Sequence, residues 1–309
     1  MSEPERIILD CDPGHDDAIA LLLALASPEV ELVGVTTVSG NQTLDKTTAN
    51  ALRVLEFVDR SDVPVAAGAD RPLVREQHVA AHVHGESGLD GPDLPPAQGT
   101  PIDRHAVDFI ADEIRARDGQ LTLVPTGPLT NIALLLALHP DARPQRVVLM
   151  GGAIGEGNVT PAAEFNIWAD PEAARRVFES GLDVTMIGLD VTHQAVIRPE
   201  HSERLRSLGR VGAMVAELVD FYGRFHGRSY PELGGSPMHD PVALAYVTTP
   251  GLVEVGEFAV TVDCSWDLGR GRTNVDRRGR SGLPVNAKVG VAIDGDAFVE
   301  HLLERLGTL

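Results

Sequence analysis

The sequence from Arg6 to Asp17, "RIILDCDPGHDD", places four aspartates within eight residues, directly after a short apolar run. The apolar run is typical of a buried strand, and the Pro-Gly pair marks a tight turn. A helix is predicted from about 16 to 26, so the segment forms a strand–turn–helix unit of an α/β fold. The aspartates therefore lie at the carboxyl end of a strand, where open α/β sheets bind ligands.

The same alternation continues along the chain. Further strands are predicted at 31–38, 63–68, 121–127, 146–152, 183–191, 253–264 and 286–293, and helices at 45–58, 103–117, 128–139, 199–208, 210–227, from 241 and at the C-terminus. This spacing indicates βαβ units with parallel strands. Because no linker, repeat or composition shift divides the sequence, we predict one α/β domain over residues 1–309 with a mostly parallel sheet flanked by helices.

Composition narrows the class of protein. The chain has 309 residues, of which 43% are hydrophobic, and a formal net charge of −19. Such a charge repels nucleic acids and anionic membrane surfaces, so we expect neither as a partner. No apolar stretch reaches membrane-spanning length, and the charged N-terminal segment lacks the pattern of a secretion signal. Cys11 and Cys264 lie far apart in the sequence, which favours reduced thiols and a cytoplasmic location.

The clustered aspartates require a counter-charge. Two like charges about 4 Å apart repel by roughly 4 kcal/mol at an effective dielectric constant near 20. Ligands that are all oxygen indicate a hard cation and favour Ca²⁺, whereas zinc requires His or Cys. Helix capping is the competing interpretation, and it explains one or two of the acids. It does not explain Asp10 and Asp12, which precede the turn.

Polar residues also follow the other predicted strands, in "TTVSGNQ" (36–42), "VPTGPLTN" (124–131), "MGGAIGEGN" (150–158) and "MHDP" (238–241). A long polar stretch from 71 to 99 resembles an active-site loop more than a compact connection. The segments "DCDPGHDDA", "VSGNQT", "TGPLTNIA", "MGGAI", "GNVTPAAEFNIWADPEAA" and "HDPVAL" occur in the order, and over most of the length, of the inosine-uridine-preferring nucleoside hydrolase family, which the chain resembles. The resemblance implies a Rossmann-like open sheet, a Ca²⁺ cofactor, a homodimer or homotetramer, and hydrolysis of a ribonucleoside to free base and ribose.

The resemblance also implies roles for individual residues. The Ca²⁺ ligands are Asp12, Asp17, the main-chain carbonyl of Thr126, and Asp240. Asp12 in addition removes the proton of the attacking water, and Asp10 is a buried residue that orients the cluster. This set suits the chemistry, because cleaving a ribosyl C–N bond passes through an oxocarbenium-like state that needs anionic surroundings and an activated water.

The substrate contacts implied by the resemblance are Asp16, Asn41, His84, Met150, Asn158, Glu164 and Asn166, and Phe165 is a further candidate for contact with the substrate. Turn formation is the competing interpretation for Asn41 and Asn158. Glu164 and Asn166 are two residues apart, and on an extended chain they face the same side. A zinc site built on His78, His82 and His84 competes with the substrate role of His84, but no further Cys or His cluster completes a ligand set.

His239 corresponds to the acid that protonates the leaving base. An unperturbed imidazole, with a pKa of about 6.5, is roughly one quarter protonated at pH 7. Asp240 raises this pKa and a bound cation lowers it, so the sequence leaves the protonation state open. Further candidates for base contact are Phe165, Trp168, Phe225, His226, Arg228 and Tyr230, with the last four expected in a loop and core packing as the competing interpretation for Phe165 and Trp168.

Two other functions remain open from the sequence. A haloacid-dehalogenase-type phosphatase also carries Asp-x-Asp after a strand. Gly14, however, stands where that family has Thr or Val, and only Lys46 and Lys288 are available as its catalytic lysine. The second alternative is a catalytically inactive protein that binds Ca²⁺ or a nucleoside on the same fold.

Overall fold

The computed structural model describes residues 3–309. The strands are β1 Glu5–Cys11, β2 Val30–Thr37, β3 Val65–Ala67, β4 Thr122–Pro125, β5 Arg146–Met150, β6 Val184–Ile187, β7 Val196–Ile197, β8 Ser236–Pro237, β9 Val253–Phe258, β10 Val260–Val262, β11 Thr273–Val275 and β12 Ala287–Ile293. The helices are α1 His15–Ala26, α2 Leu44–Phe57, α3 Ala81–His84, α4 Ala106–Ala116, α5 Thr130–Leu138, α6 Phe165–Ala169, α7 Pro171–Phe178, α8 Leu189–Thr192, α9 Pro199–Arg206, α10 Gly209–Ser229, α11 His239–Thr248 and α12 Gly295–Leu306.

The central sheet has eight strands in the order β3-β2-β1-β4-β5-β6-β12-β9. Neighbouring strands pair in parallel, except that β9 pairs antiparallel with β12 at one edge. The strand order reverses at β1, which lies between β2 and β4, and such a switch point opens a crevice at the carboxyl ends of the strands. The predicted Rossmann-like, mostly parallel α/β sheet is therefore confirmed.

Successive residues of β1 face opposite sides of the sheet and enter different apolar layers. Ile7, Leu9 and Cys11 pack with α1 and α11, whereas Ile8 packs with α4 and α5. Helix α1 contacts strand β2 of the sheet and packs against the helices α2, α10, α11 and α12. Its first residues are therefore as buried as its apolar ones, although they include two aspartates. Among the described residues, no helix combines the length and the apolar character required to cross a bilayer.

The structure corrects four details of the sequence prediction. Residues 165–178 form α6 and α7, which were not predicted, and the supposed extended chain at 164–166 is wrong because Glu164 caps the start of α6. The helix predicted at 210–227 is observed as α10, which extends to Ser229, so Phe225, His226 and Arg228 lie on this helix rather than in the loop expected before "MHDP". The 71–99 stretch contains the short helix α3. Helix α11 begins at His239 rather than at 241, because Met238 is its extended N-cap.

Candidate active site

Two helix N-termini bring a cluster of acids together beneath the sheet crevice. Asp16 and Asp17 lie in the first turn of α1, and Asp240 lies in the first turn of α11. One carboxylate oxygen from each of these three residues lies within 4.8 Å of the other two, and all three side chains are buried. Helix N-termini stabilise nearby anions, but by only about 0.3–1 kcal/mol each, which is less than the mutual repulsion of such a cluster.

Asp17 is the most thoroughly hydrogen-bonded acid of the cluster. Its Oδ1 accepts from the Asp12 amide (3.3 Å) and the Thr126 hydroxyl (2.8 Å), and its Oδ2 accepts from the Gly14 amide and the Asn41 Nδ2 amide, both at 3.0 Å. Loops that follow β1, β2 and β4 supply these donors, so the three central strands of the switch point fix its orientation.

Asp12 lies directly below, with its Oδ2 accepting a hydrogen bond of 2.6 Å from the Asn41 amide. Its Oδ1 is buried and has no hydrogen-bond partner among the described residues. Two glycines make room for the carboxylate, because a Cβ at Gly40 would overlap Oδ2 and a Cβ at Gly127 would lie 2.6 Å from Oδ1. An unpaired buried carboxylate oxygen destabilises the folded protein unless a cation or a proton interacts with it.

Asp10 supports the cluster from the opposite face of β1. Its Oδ1 accepts from the Thr36 hydroxyl (2.6 Å) and the Asn131 Nδ2 amide (2.8 Å), while its Oδ2 is buried without a partner. Burial raises the pKa of Asp10 to about 6, against the lowering effect of these two hydrogen bonds. Asp10 is buried as expected, and its two side-chain partners are Thr36 and Asn131 rather than members of the acid cluster.

The electrostatics of the cluster favour a bound cation. Burial, followed by the charge of Asp17, raises the pKa of Asp16 to about 8, and burial with the charges of Asp16 and Asp17 raises the pKa of Asp240 well above its ordinary value. Burial and the Asp17 charge likewise raise the pKa of Asp12. Without a counter-charge, burial and mutual repulsion favour the protonated forms of these acids, whereas a divalent cation removes that penalty. The donors are oxygens, so the set fits a hard cation.

The acids that lie closest together in the structure are not the same set as the cation ligands expected from the sequence. The sequence assigned Asp12, Asp17, Asp240 and the Thr126 carbonyl to the cation and Asp16 to the sugar. In the structure Asp16 is the third member of the tightest group, whereas the Thr126 carbonyl accepts a 2.6 Å hydrogen bond from the Asn166 Nδ2 amide. Asp12 and Asp16 both lie next to the Asp17 carboxylate.

A pocket of about 690 Å³, including its open mouth, lies above the acids. The eight substrate residues expected from the sequence all line it, as do Thr126, His239 and Asp240. The other lining residues are Ala80, His82, Val83, Val159, His193, Tyr222, Phe225, His226 and Tyr230. Asp10, Asp12 and Asp17 are completely buried and do not line the pocket.

One wall of the pocket is organised by the start of α6. Glu164 caps this helix, accepting from the amides of Asn166 (2.9 Å) and Ile167 (3.2 Å), and also from the Gly152 amide (2.9 Å). The Asn158 Oδ1 accepts from the amide of Phe165 (2.9 Å). Glu164 and Asn166 thus meet at the pocket through helix geometry rather than along an extended chain. Burial raises the pKa of Glu164 to about 7.

The opposite wall consists of histidines and aromatic rings. His84 Nδ1 lies 3.1 Å from Nδ1 of His15, whose Nε2 lies 2.8 Å from the Asp90 carbonyl. Tyr222 stacks on His84 and packs edge-on against His226, with ring centroids 5.4 and 4.3 Å apart. The three histidines of the zinc hypothesis diverge, since the rings of His78 and His82 pack against Trp168 and Phe225 respectively.

Sequence reasoning missed some of the pocket residues. The strand predicted at 183–191 ends at Ile187, and His193 follows the short helix α8 rather than a strand, so the strand-end rule does not indicate it. Tyr222 lies inside the helix predicted at 210–227, four residues before the candidate His226, and so shares a face of α10 with it. Two candidates for base contact do not line the pocket. Trp168 packs under Arg270, at 4.0 Å from the guanidinium to the ring centroid, and Arg228 is exposed.

His239 is the first residue of α11, and its Nδ1 lies 2.7 Å from the Thr192 hydroxyl. Burial, followed by the charges of His193, His226 and His84, lowers the pKa of His239 well below 6.5. The cation-free protein therefore holds this ring mostly neutral at pH 7, less protonated than the quarter expected of an unperturbed histidine. Both rings that adjoin it, His193 and His226, are centred within 6.1 Å.

The lysines considered for a phosphatase mechanism have other partners. Lys288 forms an ion pair with Asp183 (2.9 Å), and Lys46 Nζ donates to the Gln42 side-chain oxygen (3.3 Å) and to the Glu86 carbonyl. The sequence comparisons also point away from that family, as the following matches show.

The family profile described as inosine-uridine preferring nucleoside hydrolase matches residues 7–300. A pyrimidine-specific ribonucleoside hydrolase RihA from Shewanella sp. (strain ANA-3) is 53% identical over 309 residues, which cover 99% of this chain and 96% of the relative. A solved plant nucleoside hydrolase, PpNRh1, is 33% identical with a TM-score of 0.94, covering 99% of this chain and 100% of its own. A solved purine-preferring ribonucleoside hydrolase from Gardnerella vaginalis is 35% identical with a TM-score of 0.92, covering 98% of each chain. The chain belongs to the inosine-uridine preferring nucleoside hydrolase family and is a ribonucleoside hydrolase, an enzyme that acts on N-glycosyl bonds.

Proposed function

We propose that the enzyme hydrolyses the N-glycosidic bond of pyrimidine ribonucleosides to free base and ribose, and that it depends on Ca²⁺. One observation carries the proposal: a buried acid cluster, of which Asp16 and Asp240 line a polar pocket, lies beside an unpartnered oxygen of Asp12. The polar wall of the pocket suits a sugar, and the histidine and aromatic wall suits a base.

Asp12, Asp17, Asp240 and the Thr126 carbonyl would hold the cation, with Asp16 within reach of the same position. Bound calcium supplies the missing counter-charge and lowers the pKa of a coordinated water. The fit rests on the oxygen donor set and on the raised pKa values of Asp12, Asp16 and Asp240. A carboxylate that holds a proton in the cation-free protein is available to take one from water once a cation has displaced that proton.

The protein's own residues would then perform the following steps. Asp12 removes a proton from the attacking water, which adds to C1′ of the ribose. The side chains that bind the sugar hydroxyls are Asp16, Asn41, Asn158, Glu164 and Asn166, while Met150 packs on the ring. As the C–N bond breaks, its electron pair moves to the base and positive charge develops on the sugar. The surrounding carboxylates and amide oxygens stabilise that charge because they are already oriented.

His239 is the proposed acid for the departing base, and His84, Phe165, His226 and Tyr230 border the base. A proton passes from Nε2 of the protonated His239 to the base as the bond to C1′ breaks, which leaves a neutral imidazole. The lowered pKa reduces the protonated fraction but makes the protonated ring a stronger acid, two effects that oppose each other in general acid catalysis.

The preference for pyrimidines is supported by the relative at 53% identity, which is named pyrimidine-specific. The purine-preferring structural neighbour is more distant, at 35% identity. We propose further that the enzyme is a cytoplasmic homodimer or homotetramer. Trp266 and Leu268 support association, since 77% and 84% of their surfaces are exposed and large apolar side chains in such positions often mark interfaces. Light scattering on the purified protein measures the oligomeric mass.

The proposal is tested by incubating the purified enzyme with uridine, cytidine, inosine and adenosine, with and without a calcium chelator, and by measuring ribose and free base. We expect equimolar base and ribose from uridine and cytidine, much less from the purine nucleosides, and loss of all turnover in chelator that is restored by Ca²⁺. Turnover undiminished in chelator would refute calcium dependence, and faster turnover of inosine would refute the base preference.

A further inference from the structure

The segment that follows β6 is joined to the segment that precedes α11. Strands β7 and β8 pair antiparallel, with Val196 opposite Pro237 and Ile197 opposite Ser236. The next contact is a 2.8 Å hydrogen bond from the Met238 amide to the Ala195 carbonyl. The contact after that is between side chains, where the Thr192 hydroxyl meets the His239 ring. The pairing therefore determines which residue faces His239.

The backbone of α8, which carries Thr192, is held firmly on the other side as well. The Asp190 carboxylate accepts hydrogen bonds from the amides of Ile154 (2.6 Å) and Gly155 (3.0 Å), in the loop that leads to the pocket wall. Helix α8 also packs closely on β12, where a Cβ at Gly290 would lie 3.1 Å from Val191. Thr192 is completely buried and β-branched, so its side-chain rotamer is restricted.

We propose that Thr192 is a positioning residue for the leaving-group acid. Its hydroxyl holds Nδ1 of His239 at 2.7 Å and so directs Nε2 toward the base. This role rests on the proposed function of His239. Among the described residues, the contact with His239 is the only hydrogen bond of this hydroxyl, so it serves no other visible structural purpose.

The hydrogen bond is compatible with both states of the acid. When His239 is protonated, Nδ1–H donates to the Thr192 oxygen and Nε2–H faces the base. After Nε2 has given its proton to the base, the neutral ring still carries Nδ1–H and still donates to the same oxygen. The ring therefore keeps its orientation during the transfer, and no other proton has to move. Valine at 192 has the same shape but offers no acceptor.

The test compares T192V with wild type on two substrates. In the proposed mechanism the base of uridine departs after protonation, whereas p-nitrophenyl riboside has a leaving group that departs as an anion. We expect T192V to lower kcat for uridine by roughly 10²-fold, the size of effect typical of a misdirected catalytic group, with KM for uridine and kcat for p-nitrophenyl riboside within about 3-fold of wild type. T192S, which keeps the hydroxyl, should restore most of the uridine activity.

T248V is the matched control. Thr248 is a buried threonine of α11 whose hydroxyl bonds only a carbonyl of its own helix, at 3.4 Å, so its substitution should affect both substrates alike and slightly. T192A replaces T192V if the valine variant does not fold. Equal losses on both substrates in T192V, or no loss on uridine, would overturn the role of Thr192. H239A is measured in parallel to separate the role of Thr192 from that of His239. If H239A loses more activity on uridine than on p-nitrophenyl riboside but T192V does not, only the role of Thr192 is refuted. If H239A loses equal activity on both substrates, the role of His239 as the acid is refuted.

Discussion

Calcium binding should displace protons from the acid cluster, and calcium affinity should therefore rise steeply with pH. In the cation-free protein the pKa of Asp16 is raised to about 8 by burial and by the charge of Asp17, and the pKa values of Asp12 and Asp240 are raised as well. Between pH 6.5 and 7.5 the cluster therefore retains at least one proton that a divalent cation has to expel. For each proton expelled, affinity increases about tenfold per pH unit, which corresponds to about 1.4 kcal/mol.

In the absence of calcium, the free energy of unfolding should fall as the pH rises. A carboxyl group whose pKa is raised by folding contributes stability below its unfolded pKa, and that contribution is lost as pH rises through the folded value. Over the unit from pH 6.5 to 7.5 the cation-free protein should lose about 1.4 kcal/mol per retained proton, or roughly 3 °C in Tm for a domain of this size. The lowered pKa values of His84 and His239 change the stability mainly below pH 6.5, where the unfolded histidines are protonated. They therefore do not mask the change in stability expected between pH 6.5 and 7.5.

The assay is titration calorimetry of chelator-treated protein with Ca²⁺ at pH 6.5 and 7.5, together with thermal melts with and without the ion. We expect tighter binding and a larger calcium-induced rise in Tm at the higher pH. D16N should weaken the pH dependence, and D93N, an exposed substitution, should leave it intact. Affinity and calcium-free Tm that do not change across this range would refute the electrostatic reasoning.

Three further predictions concern single residues. D12N should fold and lower kcat for uridine by about 10³-fold, as loss of a general base does, and retention of more than a tenth of wild-type kcat would exclude Asp12 as the base. G40A places a Cβ against the Asp12 carboxylate, so it should cost about 1–3 kcal/mol in chemical denaturation, as overpacking does, and also reduce turnover. The matched control G227A has open space around its Cβ within α10 and should be neutral or stabilising, so equal losses in both would show that the Asp12 contact is not the cause. H239A should lower kcat for uridine by about 10²-fold while p-nitrophenyl riboside is cleaved within about 3-fold of the wild-type rate, a split that steady-state kinetics on both substrates measures.

The part of the fold and site that was predictable is the part fixed by local sequence. The apolar run at residues 6–9 and the turn after it define β1 and α1, and the strand-end rule then brings Asp12, Asn41 and Thr126 together because β2, β1 and β4 are neighbours. Helix α7 was also predictable in principle. Asp170 caps it and Pro171 occupies its first turn, a start signal that the sequence displays.

The rest depends on contacts between distant segments. The closest approach of Asp16 to Asp240, rather than of Asp12, follows from how α1 packs against α11, which the sequence does not specify. The lowered pKa of His239 arises from burial and from three histidines located 46, 13 and 155 residues away in the chain, at 193, 226 and 84. Tyr222 lies within the helix predicted at 210–227, but the face of that helix that lines the pocket is set by its packing against α1 and α3, which the sequence does not specify.

The most direct measurement is diffraction from crystals grown with Ca²⁺ and ribose, with anomalous data to locate the ion. We expect one calcium peak with carboxylate oxygens of Asp17 and Asp240 at about 2.3–2.6 Å, the usual Ca–O distance, and sugar hydroxyls completing its coordination. A pocket that bound ribose with no ion at these acids, or an ion bound elsewhere, would contradict the account.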